Sequence, residues 1–219
     1  ALGLVDEGVM YAVPKFIHRC HQAKIKPIIG CELPFEFEDQ ISRVIVYARN
    51  LNGLSFLNQM SSLINTSSQS VSLDYLKSYS KDIVIMIPNL GGIFESLVLS
   101  SKDQEIIRIA KVFSETLDHV YYGLSYQKDR FWKYENIRIF KLLKDHFIQS
   151  VAIPKVFYES SDDDQVYKVL RAIDKGWLIS DPNLQTESYR YFLNPEEFSM
   201  MYTVEELEST VHVSNLIET

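Results

Sequence analysis

The sequence predicts an α/β fold, and three observations carry that expectation. Short apolar runs alternate with amphipathic segments of helical period along the 219 residues, and strands that alternate with helices build a mainly parallel sheet. Hydrophobic residues make up 46% of the chain, enough at this length to bury one sizeable core. No run approaches the roughly 20 apolar residues needed to cross a bilayer, so the apolar runs read as strands of a soluble globular domain.

The elements follow in order. "ALGLV", residues 1–5, reads as a short buried strand that ends in the adjacent carboxylates Asp6 and Glu7. "AVPKFIHRCHQAK" sets Val13, Phe16, Ile17 and Cys20 on one helical face. His18 and His21 share that helix three residues apart, within reach of one metal in principle. They lie towards its polar side without an acidic ligand at i+4, so a solvated pair is the expected reading. "KPIIGCEL" and "RVIVYA" are the next strands, read as separated by helical pattern like the others, and Arg43 opens the second of them. "LNGLSFLNQMSSLI" is a scaffold helix carried by Leu54, Leu57 and Leu63, and "NTSSQSVS" is a polar loop.

"DIVIMI" is a strand followed by "PNLGG", residues 88–92, where backbone N–H groups have the means to cradle an anion, although a tight turn is the simpler role. "DQEIIRIAKVFSETL" places Ile106, Ile109, Ala110 and Phe113 on one face. After the strand "VYYGLSY" comes "KDRFWKYENIRIF", whose Phe131, Trp132 and Tyr134 are either half-buried core or docking anchors. "SVAI" is the last strand. In "SSDDDQ", Ser161 is the expected cap, and the aspartates favour the positive end of the following helix dipole over a metal site. Pro195 marks a helix start, and Thr203 caps the amphipathic "TVEELESTVHVSNLIET". No internal repeat is visible.

Charge and cysteine content narrow the function. A formal net charge of −7 argues against autonomous binding to nucleic acid, because a phosphate backbone would need a local basic patch. Cys20 and Cys31 form no CxxC pair, so core packing in a reducing cytoplasm is expected. A chain that opens on Ala1 inside a strand, with no cleavable signal pattern, reads as a piece of a longer polypeptide. Polar residues at strand ends are where α/β sites are built, and Asp6, Glu7, Glu32 and Asn89 fall there. None of the five histidines (His18, His21, His119, His146, His212) closes an apolar strand.

The blocks "ALGLVDEGVMYAVPKFIHRCHQAKIKPIIGCEL", "RVIVYARNLNGLSFLNQMSSLI" and "NLGGIFESLVL" closely resemble the N-terminal PHP (polymerase and histidinol phosphatase) domain of bacterial replicative DNA polymerase III alpha subunits. The low-GC Gram-positive type is the nearest in pattern. The resemblance runs on through "VYYGLSYQ", "SVAIPKVFYESSDDDQVYKVLRAI" and "YFLNPEEFSMMY", in order over nearly the whole chain. It implies a distorted (β/α)7 barrel, lacking its first strand here, with residues 1–202 as the PHP domain and 203–219 as a helix leading toward the polymerase body. In the family the strand ends hold a cluster of metal ions. Where the family reads "TDHG" this chain has "VDEG": Asp6 matches the aspartate and Glu7 replaces a histidine. Glu32 matches a glutamate ligand, Arg43 stands for a histidine and Asn89 for a cysteine. The family's "TNDVHY" becomes "IPKVFY", with Lys155 and Phe157 in place of the ligand aspartate and histidine. Asp6 and Glu32 are thus the remnant ligands of a degenerate pocket in which Arg43 and Lys155 bring positive charge where metal would sit.

Three readings follow from the resemblance. The first is a metal-free, non-catalytic module that supports a DNA-directed DNA polymerase. The parent chain would supply the catalytic aspartates, Mg2+, DNA, deoxynucleoside triphosphates and contacts with the sliding clamp and clamp loader in the cytoplasm. The second is a zinc- or manganese-dependent phosphoesterase, acting as 3'-5' exonuclease or pyrophosphatase. The third is a docking module for a proofreading exonuclease or another replisome subunit.

Overall fold

The computed structural model describes residues 1–67, 69–125, 130–146, 148–184 and 190–218, and the side chains of residues 130–134 lie outside that description. The expected Phe131, Trp132 and Tyr134 anchors therefore fall outside it, although their backbone is helical. The strands are β1 (Leu2–Glu7), β2 (Pro27–Phe37), β3 (Gln40–Ala48), β4 (Val71–Ser72), β5 (Ile83–Pro88), β6 (Val120–Leu124) and β7 (Gln149–Ala152). Their order in the sheet is β1-β2-β3-β5-β6-β7, with β4 beside β2. The helices are α1 (Val13–Gln22), α2 (Leu51–Ser67), α3 (Leu73–Ser78), α4 (Glu95–Leu99), α5 (Asp103–Thr116), α6 (Arg130–Lys144), α7 (Asp164–Lys175), α8 (Pro195–Met201) and α9 (Val204–Leu216). The sheet is curled into a half-barrel, a partial form of the expected (β/α) barrel.

Three expectations about the strands need correction. No helix separates the second and third: β2 and β3 form an antiparallel hairpin turned by Glu38 and Asp39, both at positive φ. The β2 register runs on to Phe37, and β3 begins at Gln40, so Arg43 lies inside the strand rather than opening it. A turn of type I′ geometry built on Glu-Asp escapes a search for Asn-Gly or Asp-Gly, which is why the hairpin was not legible. β3 consequently runs against both its neighbours, while β1-β2, β5-β6 and β6-β7 are parallel. The first strand is also not buried as expected: β1 is a sheet edge with no buried residue before Gly8.

Period-2 alternation sends successive side chains of each strand to opposite faces. Cys31, Leu33, Val44, Val46, Ile85, Ile87 and Tyr122 face one way, into the large core shared with Val13 of α1, Phe56 and Leu57 of α2 and Ile106 and Phe113 of α5. The four α5 residues expected on its core face are all buried. In α2, Leu57 is buried with Gly53, Phe56 and Met60, whereas Leu63 is turned to solvent. Ile45, Tyr47, Val84, Met86, Tyr121 and Val151 face the other way and form a smaller inner cluster with Val213 and Ile217 at the end of α9.

The inner face alternates small and large residues, as a tapering interior requires. A Cβ on Gly30 would come within 2.7 Å of the Tyr47 ring, and one on Gly123 within 2.2 Å of Ile153. Helix ends follow local chemistry. Thr203 with Glu206 and Asn194 with Glu197 form capping boxes, Pro195 opens α8, and Gly176 closes α7 in the left-handed conformation. The cap of the acidic segment is Ser160, not Ser161: it forms a capping box with Asp163 over a 3-10 turn. His18 and His21 are exposed on α1. No helix among the described residues is long and apolar enough to cross a membrane.

Candidate functional site

The C-terminal ends of β1, β5, β6 and β7 open at one end of the curled sheet, and the inner-face alternation of β2 and β3 brings further polar side chains there. Glu7 ends β1 and pairs in register with Glu32 of β2. Arg43 shares the inner face with Ile45 and Tyr47, and Lys155 follows two residues after Ile153 beyond β7. Arg43 Nη1 lies 2.6 Å from Glu7 Oε1 and 3.1 Å from Glu32 Oε1, while Lys155 Nζ lies 3.1 Å from Glu32 Oε2. The four side chains therefore alternate in sign, from Glu7 through Arg43 and Glu32 to Lys155.

Burial separates the members of this ladder. Glu32 is 6% exposed, and a carboxylate at that depth is kept only when paired and hydrogen-bonded. The two cations reach it from the rim, and Glu7 is mostly in solvent. The hydrogen bond from Arg43 holds the Glu7 carboxyl below its ordinary range, with partial burial opposing and the charges of Arg43 and Lys155 assisting. Arg43 is shifted up in turn, chiefly by Glu7. Beneath Glu32, burial and the Glu32 charge push the Tyr47 phenol far above its usual value. Tyr47 therefore stays neutral under the ladder.

Backbone geometry places Arg43. Its N–H donates to Gly91 O at 2.8 Å, and its aliphatic stem lies against Gly91, which sits at φ +75°. The Gly91 N–H donates to the Glu95 carboxylate at 2.7 Å. The "PNLGG" turn thus binds an anion of its own chain. Just beyond β1, the carbonyl of Gly8 accepts from Ser61 Oγ and Asn65 Nδ2 of α2. Glu7, Glu32, Arg43, Asn65 and Gly91 line a groove of about 460 Å³.

The remaining candidates are placed elsewhere. Asp6 alternates with Glu7 and leaves β1 on the Cys31 side of the sheet, where its charge joins burial in pushing the Cys31 thiol up to about 11. The structure therefore does not bring Asp6 and Glu32 together. Asn89, fully buried, joins the ends of β5 and β6: its Oδ1 accepts from Ser125 N–H at 3.0 Å and its Nδ2 donates to Ser125 O at 3.2 Å. Phe157 is half exposed and stacks on Tyr167, with ring centroids 5.2 Å apart and planes at 9°. The Arg190 guanidinium lies over the Phe157 ring, 5.9 Å from its centroid.

Two neighbours were not anticipated. Ser125 Oγ accepts from Arg190 Nη1 at 2.9 Å and from the Lys155 N–H at 3.4 Å. It thereby positions the loop that carries Lys155. Its place directly after β6 was a signal available in "VYYGLSY". Arg190 is buried, and burial lowers its pKa, but nothing in the surrounding sequence marked it.

A family model described as the PHP domain matches residues 1–128, more than half of the chain. This chain belongs to the PHP domain family. It is similar to a DNA polymerase III subunit alpha of Halalkalibacterium halodurans, with 28% identity over 224 residues that cover 96% of this chain and 18% of that protein. A DNA polymerase III subunit alpha of Staphylococcus aureus strain COL is 24% identical over 97% of this chain and 17% of its own length. That of strain Mu50 is 29% identical over 55% of this chain and 12% of its own. The PHP domain described here spans less than a fifth of the length of these relatives.

The metal cluster implied by the family can be tested against the donors present. Of the two carboxylates at the mouth, Glu32 carries two cations and Glu7 carries one. Among the described residues no group of three or more His, Cys, Asp or Glu side chains is placed to hold a metal ion. Fixed ammonium and guanidinium groups supply no lone pair and repel a second cation. The donor set does not fit a metal cluster.

Proposed function

We propose that this PHP domain is a metal-free structural module of a replicative DNA polymerase alpha chain, in which an internal salt bridge stands in for the metal centre. The observation that carries this reading is the seating of Arg43 and Lys155 on the nearly buried Glu32 carboxylate. Two cations there satisfy in covalent form the charge that divalent ions would supply, at the cost of any activated water. The role left to the domain is support of the fold and assembly of the chain that carries it. The similarity over 96% of the sequence to alpha subunits supports a polymerase as that chain. Nucleotidyl transfer, Mg2+, DNA, deoxynucleoside triphosphates and replisome contacts then belong to its remainder, in the cytoplasm.

Elemental analysis of protein purified without chelator tests the reading. The expected result is no stoichiometric zinc, manganese or iron. Near-stoichiometric metal that disappears in Glu32→Gln would overturn it and make hydrolysis of phosphate esters the function to assay. Support of the polymerase is tested separately by Ile45→Asp in the full-length protein. Solubility and primer extension should fall together, and a soluble, fully active variant would count against a structural role.

A further inference from the structure

The helix α7 is built inside out. Its apolar residues Val166, Val169, Leu170 and Ile173 recur at helical spacing and form one stripe, yet all four are exposed, Ile173 at 72%. The side turned to the body carries Tyr167, Lys168, Arg171 and Ala172 instead. Beyond the Gly176 cap the stripe continues into exposed Trp177 and Leu178. A helix normally turns such a stripe toward a core, and a contiguous apolar surface of this kind marks a contact.

We infer that the stripe of Val166, Val169, Leu170, Ile173, Trp177 and Leu178 is the surface against which the polymerase part of the same polypeptide packs. The inference rests on the proposed reading of this chain as part of a polymerase alpha chain. Two features choose that occupant. The stripe holds aliphatic residues and one tryptophan with no charged residue among them, the composition of permanent, core-like interfaces rather than of transient docking. The alignment with the alpha subunit of H. halodurans covers 96% of this chain, so residues 164–179 fall within it, and it leaves more than four-fifths of that protein outside. A covalently attached neighbour is present at the high effective concentration that linkage provides.

The test is maleimide labelling of Ile173→Cys, read by peptide mass spectrometry, in the 219-residue chain and in the full-length gene product. Val166→Cys serves as an independent second site. The expected result is rapid labelling of the isolated chain and labelling slowed by at least about tenfold in the full-length protein, because a packed face reacts only on local opening. Equal rates in both would overturn the assignment. Protection in the isolated chain that is lost on dilution would also overturn it, in favour of a second copy. Protection that appears only when a separate protein is added would overturn it in favour of a docked subunit. A full-length protein that extends primers yet labels freely would sink the surface alone, whereas one without polymerase activity would sink the reading beneath it.

Discussion

Both ends of the curled sheet hold basic side chains, and the two ends use them differently. At the mouth, Arg43 and Lys155 meet carboxylates. At the floor, Arg49 Nη2 pairs with the Glu218 carboxylate at 2.8 Å, but its Nε also donates to Leu216 O at 3.1 Å and Lys26 Nζ donates to the carbonyls of Ser214 and Ile217. These are the last carbonyls of α9, which lack partners within the helix and carry the negative end of its dipole. Thr210, one turn before Val213, bridges the N–H and carbonyl of Ala152 on β7. The floor is thus sealed by an apolar plug whose polar ends are satisfied, while the mouth is held by charge open to solvent. The same cation is a cap or a counter-ion according to its partner, and the cost of losing it should differ accordingly.

The comparison breaks most readily at the floor. Val213→Asp places a carboxylate among the apolar side chains of the inner cluster and should cost about 4 kcal/mol or more. The expected outcome is loss of a cooperative urea transition, and an unchanged midpoint would show that α9 does not seal the sheet. Lys26→Ala removes two hydrogen bonds from α9 carbonyls and should cost about 1–3 kcal/mol. Faster amide exchange around residues 214–218 than around α5 would localise that loss.

The mouth should yield less. Replacing both cations, Arg43→Met with Lys155→Met, leaves Glu32 nearly buried and uncompensated. Because the ladder is partly solvated, a loss of about 1–2 kcal/mol is expected rather than the full buried-pair penalty. Adding Glu32→Gln to that double variant should restore part of the loss. If it does not, the ladder is ornament rather than compensation.

The smallest effect is a pH dependence. The Glu7 carboxyl is depressed in the folded chain by Arg43, so its contribution is present above the ordinary carboxylate pKa and disappears as pH falls through the depressed one. For so exposed a pair it should amount to less than about 1 kcal/mol and shrink with added salt. Chemical denaturation from pH 7 down to about pH 3 should show that slope in the parent and a shallower one in Arg43→Met. A steeper slope in the variant would reverse the assignment.

Much of the architecture was legible from local pattern. Three-to-four spacing in "DQEIIRIAKVFSETL", Pro195 at a helix start and Thr203 as a cap depend on residues a few positions apart, and they appear where the sequence puts them. The β2-β3 hairpin was not, because a Glu-Asp turn carries no strong signature. At the site, the resemblance implied one pocket of Asp6, Glu7, Glu32, Arg43, Asn89, Lys155 and Phe157, and four of these, Glu7, Glu32, Arg43 and Lys155, are joined by ion pairs. It separates Asp6, since adjacent residues of a strand face opposite ways and only the register with Cys31 and Glu32 decides which of "DE" looks inward.

What the sequence determined by itself was therefore most of what is written at short range: the alternation of strands and helices outside the β2-β3 hairpin, most of the helix ends and the acidic balance, to which the resemblance added the loss of ligand residue types. Tertiary structure alone decided the inward choice of Glu7 over Asp6, the outward apolar stripe of α7 and the insertion of α9 as the floor. Each of these depends on which distant segment supplies the other half of a contact. A charge or an apolar side chain acquires its role only when that partner, often more than a hundred residues away, defines its dielectric surroundings and its neighbours.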